Sequence, residues 1–213
     1  KAASAHLVVV NHALLMSDLT AGRALIPDYD TLIIDEAHHL EDQATKHLGF
    51  EIGPTYIEEH LQSLAGEKGY LDKVSMAFLY SVTAQTRRAT LEEICTRIIT
   101  LIPKILKISA DMFSKLEELL EQTGDDDSSF EKQNRITSVT RNLPDWSLLE
   151  IQWEIFDVAM EQLGNDLDAL TTGMSDLENV GLLNYDELSI EIDNILQRNT
   201  EIRKHLTELI PQP

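Results

Sequence analysis

Three segments of the chain repeat apolar side chains at alternating steps of three and four residues, and this repeat limits the folds available to it. Such steps place side chains on one stripe of an α-helix, and a stripe this long must be buried against another helix. The three stripes are Ile94, Ile98, Leu101, Ile105, Ile108 and Met112; Trp146, Leu149, Trp153, Phe156, Met160, Leu163, Leu167 and Leu170; and Leu188, Ile192, Ile195, Asn199, Ile202, Leu206 and Leu209. We therefore expect a mainly α fold in which long helices form an elongated antiparallel bundle.

Capping and stop signals divide the chain after residue 50 into six predicted helices. Their ranges are 55–64, 71–88, 90–122, 130–142, 146–171 and 186–210. A hydroxyl followed by an acid three residues later, typical of a capping box, opens two of them at Thr55 and Thr90. Pro103 lies inside the longest predicted helix and should kink it. Gly173 should end the fifth helix early and leave 174–185 irregular.

The first fifty residues follow a different pattern, typical of an α/β structure. Residues 6–10 and 31–35 are short, β-branched apolar runs and are predicted strands, with a short helix at 13–16 between them. Two strands do not form a stable sheet alone, so we expect a larger sheet with further strands outside this chain. The change of pattern predicts a domain boundary, with one domain at 1–49 and a helical domain at 50–213. The chain begins without Met, and we expect it to be an internal portion of a longer protein.

The second predicted strand ends in two adjacent carboxylates, Asp35 and Glu36, followed by His38. Ligands of open α/β sheets lie outside the carboxyl ends of the strands. Two acids at that position suit Mg²⁺ with a nucleoside triphosphate, with Asp35 holding the metal through water and Glu36 acting on the attacking water. His38 is placed to hydrogen-bond to a neighbouring domain. An alternative is that the acids only cap a helix.

Zinc chemistry is a weaker interpretation of the same region, where His39 and His47 add to His38 and the two acids. The spacing lacks the H-E-x-x-H pattern of zinc proteases. The only cysteine, Cys95, excludes an internal disulfide and lies in an apolar helical pattern, so we expect a buried, inert thiol. No run of eighteen apolar residues occurs and no secretory signal is visible, which fits a cytoplasmic protein without a membrane contact.

The net charge of −20 argues against a nucleic-acid surface over the whole chain. The excess is uneven, because residues 142–213 carry 15 acidic and 3 basic side chains. Any contact with DNA is therefore expected in the balanced segment between residues 68 and 107. The candidate DNA-contacting residues are Lys73, Arg87, Arg88 and Arg97. The alternative is that these side chains belong to ordinary solvated helix faces, with the two adjacent arginines paired to Glu92 or Glu93.

Two motifs in the first 45 residues carry a resemblance to a known family. Residues 5–15, AHLVVVNHALL, resemble a segment of the XPD/DinG DNA helicases, and residues 30–42, DTLIIDEAHHLED, resemble their extended DEAH-box motif II. A long helical region directly after motif II also matches this family in position, because an arch domain is inserted there. The resemblance, which is greatest to DinG, implies that residues 1–49 are a truncated α/β piece of a RecA-like motor domain and 50–213 are the arch.

The resemblance also implies a function for the longer protein, an ATP-dependent 5′-to-3′ DNA helicase acting in repair. Asp35 would coordinate magnesium, Glu36 would be the catalytic carboxylate, and His38 would couple hydrolysis of ATP to movement. Single-stranded DNA and the remainder of the helicase motor are the implied partners. The chain has no phosphate loop and no ligands for the iron–sulphur cluster of some relatives, so we expect it to be inactive alone. The alternative function is a non-enzymatic acidic helical module that binds a protein.

Overall fold

The computed structural model describes residues 4–41, 43–44, 49–80, 85–123, 136–175 and 182–210. For residues 85–87 it describes the backbone and not the side chains. The chain divides into two compact units, Lys1–Glu51 and Ile52–Pro213. We call them the motif unit and the helical unit. The division falls two residues after the predicted domain boundary.

The first helix of the motif unit, α1, spans His12–Thr20. The Asn11 side chain caps it by accepting a hydrogen bond of 2.8 Å from the Leu14 amide. The turn after the helix has positive φ at Gly22 and Arg23. Asp18 is buried and holds the following loop, because one carboxylate oxygen accepts hydrogen bonds from the amides of residues 25 and 26 at 2.8 and 2.9 Å.

The two predicted strands of the motif unit are not formed among the described residues. Residues 6–10 and 31–35 contain no strand, and most of their apolar side chains are exposed, with Leu7 77%, Val9 85% and Ile33 87% exposed. The predicted α/β piece is therefore corrected, for the described residues, to a unit with helix α1, irregular segments, a short 3₁₀ helix and further helical residues at 40–41 and 43–44. The physical reason is that a strand exists only when a neighbour satisfies its backbone groups, and these two segments do not pair with each other.

The helical unit contains six helices in its described residues, and the mainly α expectation is confirmed for it. They are α2 at Pro54–Ala65, α3 at Tyr70–Tyr80, α4 at Gln85–Thr123, α5 at Ser138–Arg141, α6 at Trp146–Ser175 and α7 at Tyr185–Leu209. Helix α4 has 39 residues and is about 58 Å long at 1.5 Å per residue. None of the described helices combines the length and apolarity needed to cross a membrane.

The three longest helices pack antiparallel, as ion pairs along their contacts show. Arg97 pairs with Asp166 at 2.7 Å and Lys115 with Asp145 at 2.9 Å, so α4 and α6 run in opposite directions. On the other side of α6, Asp157 pairs with Arg203 of α7 at 2.7 Å. Further along these two helices, the amide group of Asn199 donates to the Met160 carbonyl at 3.1 Å. A later residue of α6 thus meets an earlier residue of α7, and this pair is antiparallel as well.

The core of the helical unit consists of the predicted apolar stripes together with α2 and α3. Nearly all stripe residues are buried, while Ile108, Trp153 and Leu209 are partly exposed and pack against the core. The one polar stripe residue, Asn199, is buried opposite Gly164 of α6, where an added Cβ would lie 3.2 Å from its amide nitrogen. The missing side chain at Gly164 therefore makes room for the Asn199 amide to reach the Met160 carbonyl.

Several helix boundaries differ from the sequence prediction. Helix α2 begins at Pro54 after Gly53, so Thr55 is not its cap. Helix α4 begins at Gln85 and contains both Thr90 and Pro103 in its interior. Helix α6 continues through Gly173, because a Cβ there would overlap Leu91 of α4 and glycine permits the close contact. For the predicted helix at 130–142, only Ser138–Arg141 is helical, and 124–135 lie outside the described residues.

Candidate functional site

The two adjacent carboxylates lie at a sharp change of backbone direction in the motif unit. Glu36 has a left-handed conformation with φ of 51° and precedes the 3₁₀ helix Ala37–His39. One carboxylate oxygen of Asp35 accepts a hydrogen bond of 2.9 Å from the Glu36 amide. A non-glycine residue at positive φ is uncommon and typical of turns and functional sites. The turn points the two acids and the following histidines into solvent.

Glu36 and the two histidines form the only cluster of potential metal ligands found among the described residues. A carboxylate oxygen of Glu36 lies 3.3 Å from Nδ1 of His38, and the rings of His38 and His39 are 3.9 Å apart. One ligand atom from each of the three lies within 4.8 Å of the others. The carboxylates of Asp35 and Glu36 are the oxygen ligands that Mg²⁺ prefers, whereas the imidazoles suit transition metals. For magnesium, the fitting donors are therefore the two acids.

A side chain from the start of α1 also reaches this turn. Nε2 of His12 lies 3.1 Å from the backbone carbonyl of Asp35, 23 residues away in sequence. Asn11, the preceding residue, is the cap of the same helix. From the sequence, these two residues had no role beyond their match to the family segment. The structure places His12 in a positioning contact at the turn and Asn11 in a capping role, and the Asn-x-x spacing ahead of an apolar helix was the available signal for the cap.

The candidate DNA-contacting residues are separated in the structure, and those whose side chains are described each form an ion pair. Lys73 of α3 pairs with Glu191 of α7 at 2.6 Å, and Arg97 of α4 pairs with Asp166 of α6 at 2.7 Å. Arg88 pairs with Glu92 one turn away at 2.8 Å, which is the alternative that the sequence left open. The side chain of Arg87 lies outside the description. The hydrogen bond that Arg97 donates to Asp166, followed by the charge of that carboxylate, raises the pKa of Arg97.

The sequence analysis also considered the reactive side chains of Cys95 and His47. Cys95 is buried in the helical unit, and burial raises its pKa to about 11, so its thiol is protonated at neutral pH. This confirms the expected buried and inert thiol. His47, which the zinc interpretation needed, lies outside the described residues.

Comparison with known proteins finds relatives over part of the chain. The "3'-5' exonuclease DinG" of Bacillus subtilis is 43% identical over 76 residues, which is 34% of this chain and 8% of the relative. The "ATP-dependent DNA helicase DinG" of Photobacterium profundum is 30% identical over 118 residues, 52% of this chain and 16% of the relative. The "ATP-dependent DNA helicase YoaA" of Escherichia coli is 43% identical over 53 residues, 23% of this chain and 8% of the relative.

The aligned stretches cover only 8% to 16% of the lengths of these three relatives. No protein-family model matches the chain, and no solved structure matches it. Two of the three names describe ATP-dependent DNA helicases and one describes an exonuclease. These relatives confirm the resemblance inferred from the motifs: over the stretches that align, the chain is similar to DinG and YoaA proteins.

Proposed function

We propose that the chain is part of an ATP-dependent DNA helicase of the DinG type, carrying its DEAH-box motif and its arch domain. The observation that carries the proposal is the sequence Asp35-Glu36-Ala37-His38 at a solvent-facing turn directly after an apolar segment. The names of the relatives support it, because most of them describe ATP-dependent helicases. The motif unit would belong to the RecA-like motor and the helical unit would be the arch.

In this function the acids of the turn have separate roles. Asp35 would hold Mg²⁺ through a bridging water, and its amide contact with Glu36 fixes the direction of the carboxylate. Magnesium bound there would neutralise charge on the phosphates of ATP. Glu36 would orient the attacking water and accept its proton, as a carboxylate placed next to the nucleotide can do. His38, 3.3 Å from Glu36, would connect the state of that carboxylate to a neighbouring domain.

The exposed apolar segments of the motif unit fit a place in a larger sheet. Leu7, Val9 and Ile33 are each more than three quarters exposed. Side chains of this kind normally lie inside, and an open row of backbone donors and acceptors is a template for pairing with further strands. In the complete motor, we propose, these segments become the two parallel strands that the sequence predicts. ATP hydrolysis would also require the phosphate loop and other groups, which the further strands of that sheet would carry.

The arch part of the proposal concerns single-stranded DNA. The segment between residues 68 and 107 carries 7 basic and 3 acidic side chains in an otherwise acidic helical unit, and it remains the best candidate for contacts to phosphates. The ion pairs of Lys73, Arg88 and Arg97 leave each arginine or lysine partly neutralised by an acid. We therefore expect only a small contribution to DNA affinity from this surface, with most of the affinity coming from the motor.

The test of the proposed hydrolysis uses the full-length helicase with Glu36→Gln. The amide keeps the shape of the side chain but cannot accept a proton, so ATP turnover should fall about 100-fold or more while nucleotide binding is retained. Glu51→Gln, which changes another exposed acid of the motif unit, is the matched control and should retain turnover. Normal ATP turnover by Glu36→Gln would contradict the assigned role.

The test of the DNA contact uses the same helicase with Arg87→Ala and Arg88→Ala together. Single-strand affinity should fall by a few-fold, and the dependence of log affinity on log salt should become shallower by about one unit for each phosphate that is no longer neutralised. Lys204→Ala, an exposed base on α7, is the control. An unchanged salt slope would assign both arginines to the helix surface alone.

A further inference from the structure

Helix α6 carries a second apolar stripe that faces solvent. Leu148, Ile151, Ile155 and Val158 follow one another at steps of three and four and are 50%, 53%, 52% and 59% exposed. We call these four residues the outer stripe. The buried stripe of the same helix, which includes Phe156 and Met160, packs against α4 and α7. Single exposed apolar residues are common on proteins, but four in helical register form a continuous patch.

Carboxylates lie along one edge of the outer stripe. Glu154 lies three residues after Ile151 and four residues before Val158. Glu161 lies seven residues after Glu154, so both glutamates flank the outer stripe on the same side of the helix. Glu150 lies one turn before Glu154 and is half-buried. We call these three residues the acidic edge. Glu161 lies 3.6 Å from Arg203, whereas Glu150 and Glu154 have no ion pair with any residue in the described ranges.

An open depression of roughly 660 Å³ adjoins the stripe at its N-terminal end. Its lining includes Ile151 of the outer stripe, Glu150 and Glu154 of the acidic edge, and the indoles of Trp146 and Trp153. Both indole nitrogens are buried and have no hydrogen-bond acceptor in the described part of the chain. The apolar stripe, the carboxylates and the aromatic depression therefore form one surface, to which Arg141 contributes a single cation, 5.7 Å from the centroid of the Trp146 ring.

We propose that the outer stripe and the acidic edge bind the apolar face of a basic amphipathic helix from a partner protein. An apolar stripe at helical spacing is the surface on which a partner helix lays its own i, i+3, i+4 residues. Lysine or arginine beside the partner's apolar face would lie against Glu150, Glu154 and Glu161. This inference does not depend on the nucleotide chemistry of the motif unit.

Charge determines the choice of occupant. Helix α6 has 6 acidic side chains and no lysine or arginine, so a second copy of the chain offers no complementary edge to its stripe. The net charge of −20 also opposes self-association. DNA is excluded from this face by the same carboxylates, because like charges repel a polyanion. A helix with basic residues at the edges of its apolar face satisfies both parts of the surface.

The test uses the 213-residue chain and a labelled synthetic peptide of about 18 residues, with leucine at heptad positions a and d and lysine at e and g. Binding is followed by fluorescence anisotropy. Ile155→Gln should weaken binding at least tenfold, with Val158→Gln as a second, independent variant. The control is Ile190→Gln, which removes an apolar side chain of similar exposure from α7 and should leave binding unchanged. Circular dichroism and the melting temperature establish that each variant is folded.

The acidic edge is tested separately from the stripe. Glu150→Gln with Glu154→Gln should weaken binding about fivefold at low salt, and this difference should disappear at high salt because the contribution is electrostatic. A peptide with glutamate in place of every lysine should bind at least tenfold more weakly than the basic peptide.

Three results would overturn the proposal. The first is equal binding of the acidic and basic peptides, and the second is a dissociation constant above about 1 mM for the basic peptide. The third comes from sedimentation of the chain alone. A dimer that disappears in Ile155→Gln would assign the outer stripe to a second copy of the chain. A monomer in both, together with stripe-dependent binding of the basic peptide, supports the proposed partner.

Discussion

The two units of the molecule use apolar residues in opposite ways. In the helical unit, the stripe residues of α4, α6 and α7 are buried against one another. In the motif unit, most apolar residues of 6–10 and 31–35 are exposed, and the buried apolar residues of the described part are Leu15 and Met16 of α1. The helical unit therefore contains the partners that its apolar pattern requires, whereas the motif unit presents apolar segments that its own described residues leave uncovered.

This difference arises because helices and strands find hydrogen-bond partners for their backbone groups at different distances along the chain. A helix pairs its amides and carbonyls within one segment, so it forms wherever its stripe finds any apolar neighbour. A strand needs another strand at the correct distance and register. An apolar stripe can thus specify a helix bundle within one chain, while an apolar run specifies a strand only together with the rest of its sheet.

The largest effect is expected from removal of a core side chain of the helical unit. Phe156 is 1% exposed, and Phe156→Ala should lower the free energy of unfolding of the chain by about 3–5 kcal/mol. Ile33→Ala in the motif unit, at a side chain that is 87% exposed, should change it by less than about 0.5 kcal/mol. Urea unfolding followed by circular dichroism measures both.

The neighbouring residue supplies the control for the core substitution. Ile155 is also apolar, lies on the same helix and faces solvent. Ile155→Ala should therefore lower the free energy of unfolding by less than about 0.5 kcal/mol. If Ile33→Ala were as costly as Phe156→Ala, the apolar segments of the motif unit would have to be buried in solution, and the contrast between the two units would disappear.

The next effect concerns a buried histidine of the helical unit. His60 of α2 is fully buried, and burial, followed by the charge of Arg198, lowers its pKa to about 4 against an opposing contact with Asn199. Below pH 6.5 the unfolded chain binds the proton more readily than the folded chain, so stability falls as the pH falls toward 4. Between pH 7 and pH 4.5, His60 should account for a loss of about 2 kcal/mol.

The measurement for His60 is urea unfolding of the parent chain and of His60→Leu at both pH values. The leucine fills a similar buried volume and does not titrate, so the parent chain should lose more stability than the variant over this range. Carboxylates titrate in both proteins and cancel in the comparison. Equal losses in the two would mean that His60 is accessible to protons in the folded chain.

The smallest effect is expected in the motif unit, at the loop that follows α1. Asp18→Ala removes the acceptor of the Leu25 and Ile26 amides and should lower the local opening free energy by about 1 kcal/mol. Hydrogen exchange at these two amides is the measurement. Asp18→Asn retains one acceptor oxygen and should restore most of the protection. Unchanged exchange in Asp18→Ala would show that the loop is held by other contacts.

The sequence was sufficient to predict the helices of the helical unit and most of their buried residues. The repeat of three and four residues identifies a stripe independently of what covers it, which is why Leu149, Leu163 and Ile192 were placed correctly. The helix ends were less predictable, because they depend on contacts in space. Gly173 is read from sequence as a helix stop, but the close approach of Leu91 makes it part of α6.

The roles assigned to the site residues stay a prediction, and the geometry around them could not be read from the sequence. Asp35, Glu36 and His38 were identified from their types and order, whereas the left-handed turn at Glu36 and the contact of His12 with the Asp35 carbonyl were not. No local pattern indicates a contact across 23 residues. The ion pairs of Lys73 with Glu191 and of Arg97 with Asp166 could not be predicted for the same reason, since the paired residues lie 118 and 69 positions apart in the sequence.

The contact between Asn199 and α6 has a consequence for how the two helices are aligned. Apolar stripes alone tolerate a slide of about seven residues, because the next heptad presents a similar surface. The Asn199 amide meets its carbonyl only opposite Gly164, and a slide in either direction would bury the amide against a side chain. Gly164 and Asn199 therefore fix one alignment of α6 and α7. We expect a larger residue at position 164 to be tolerated only together with a smaller one at position 199.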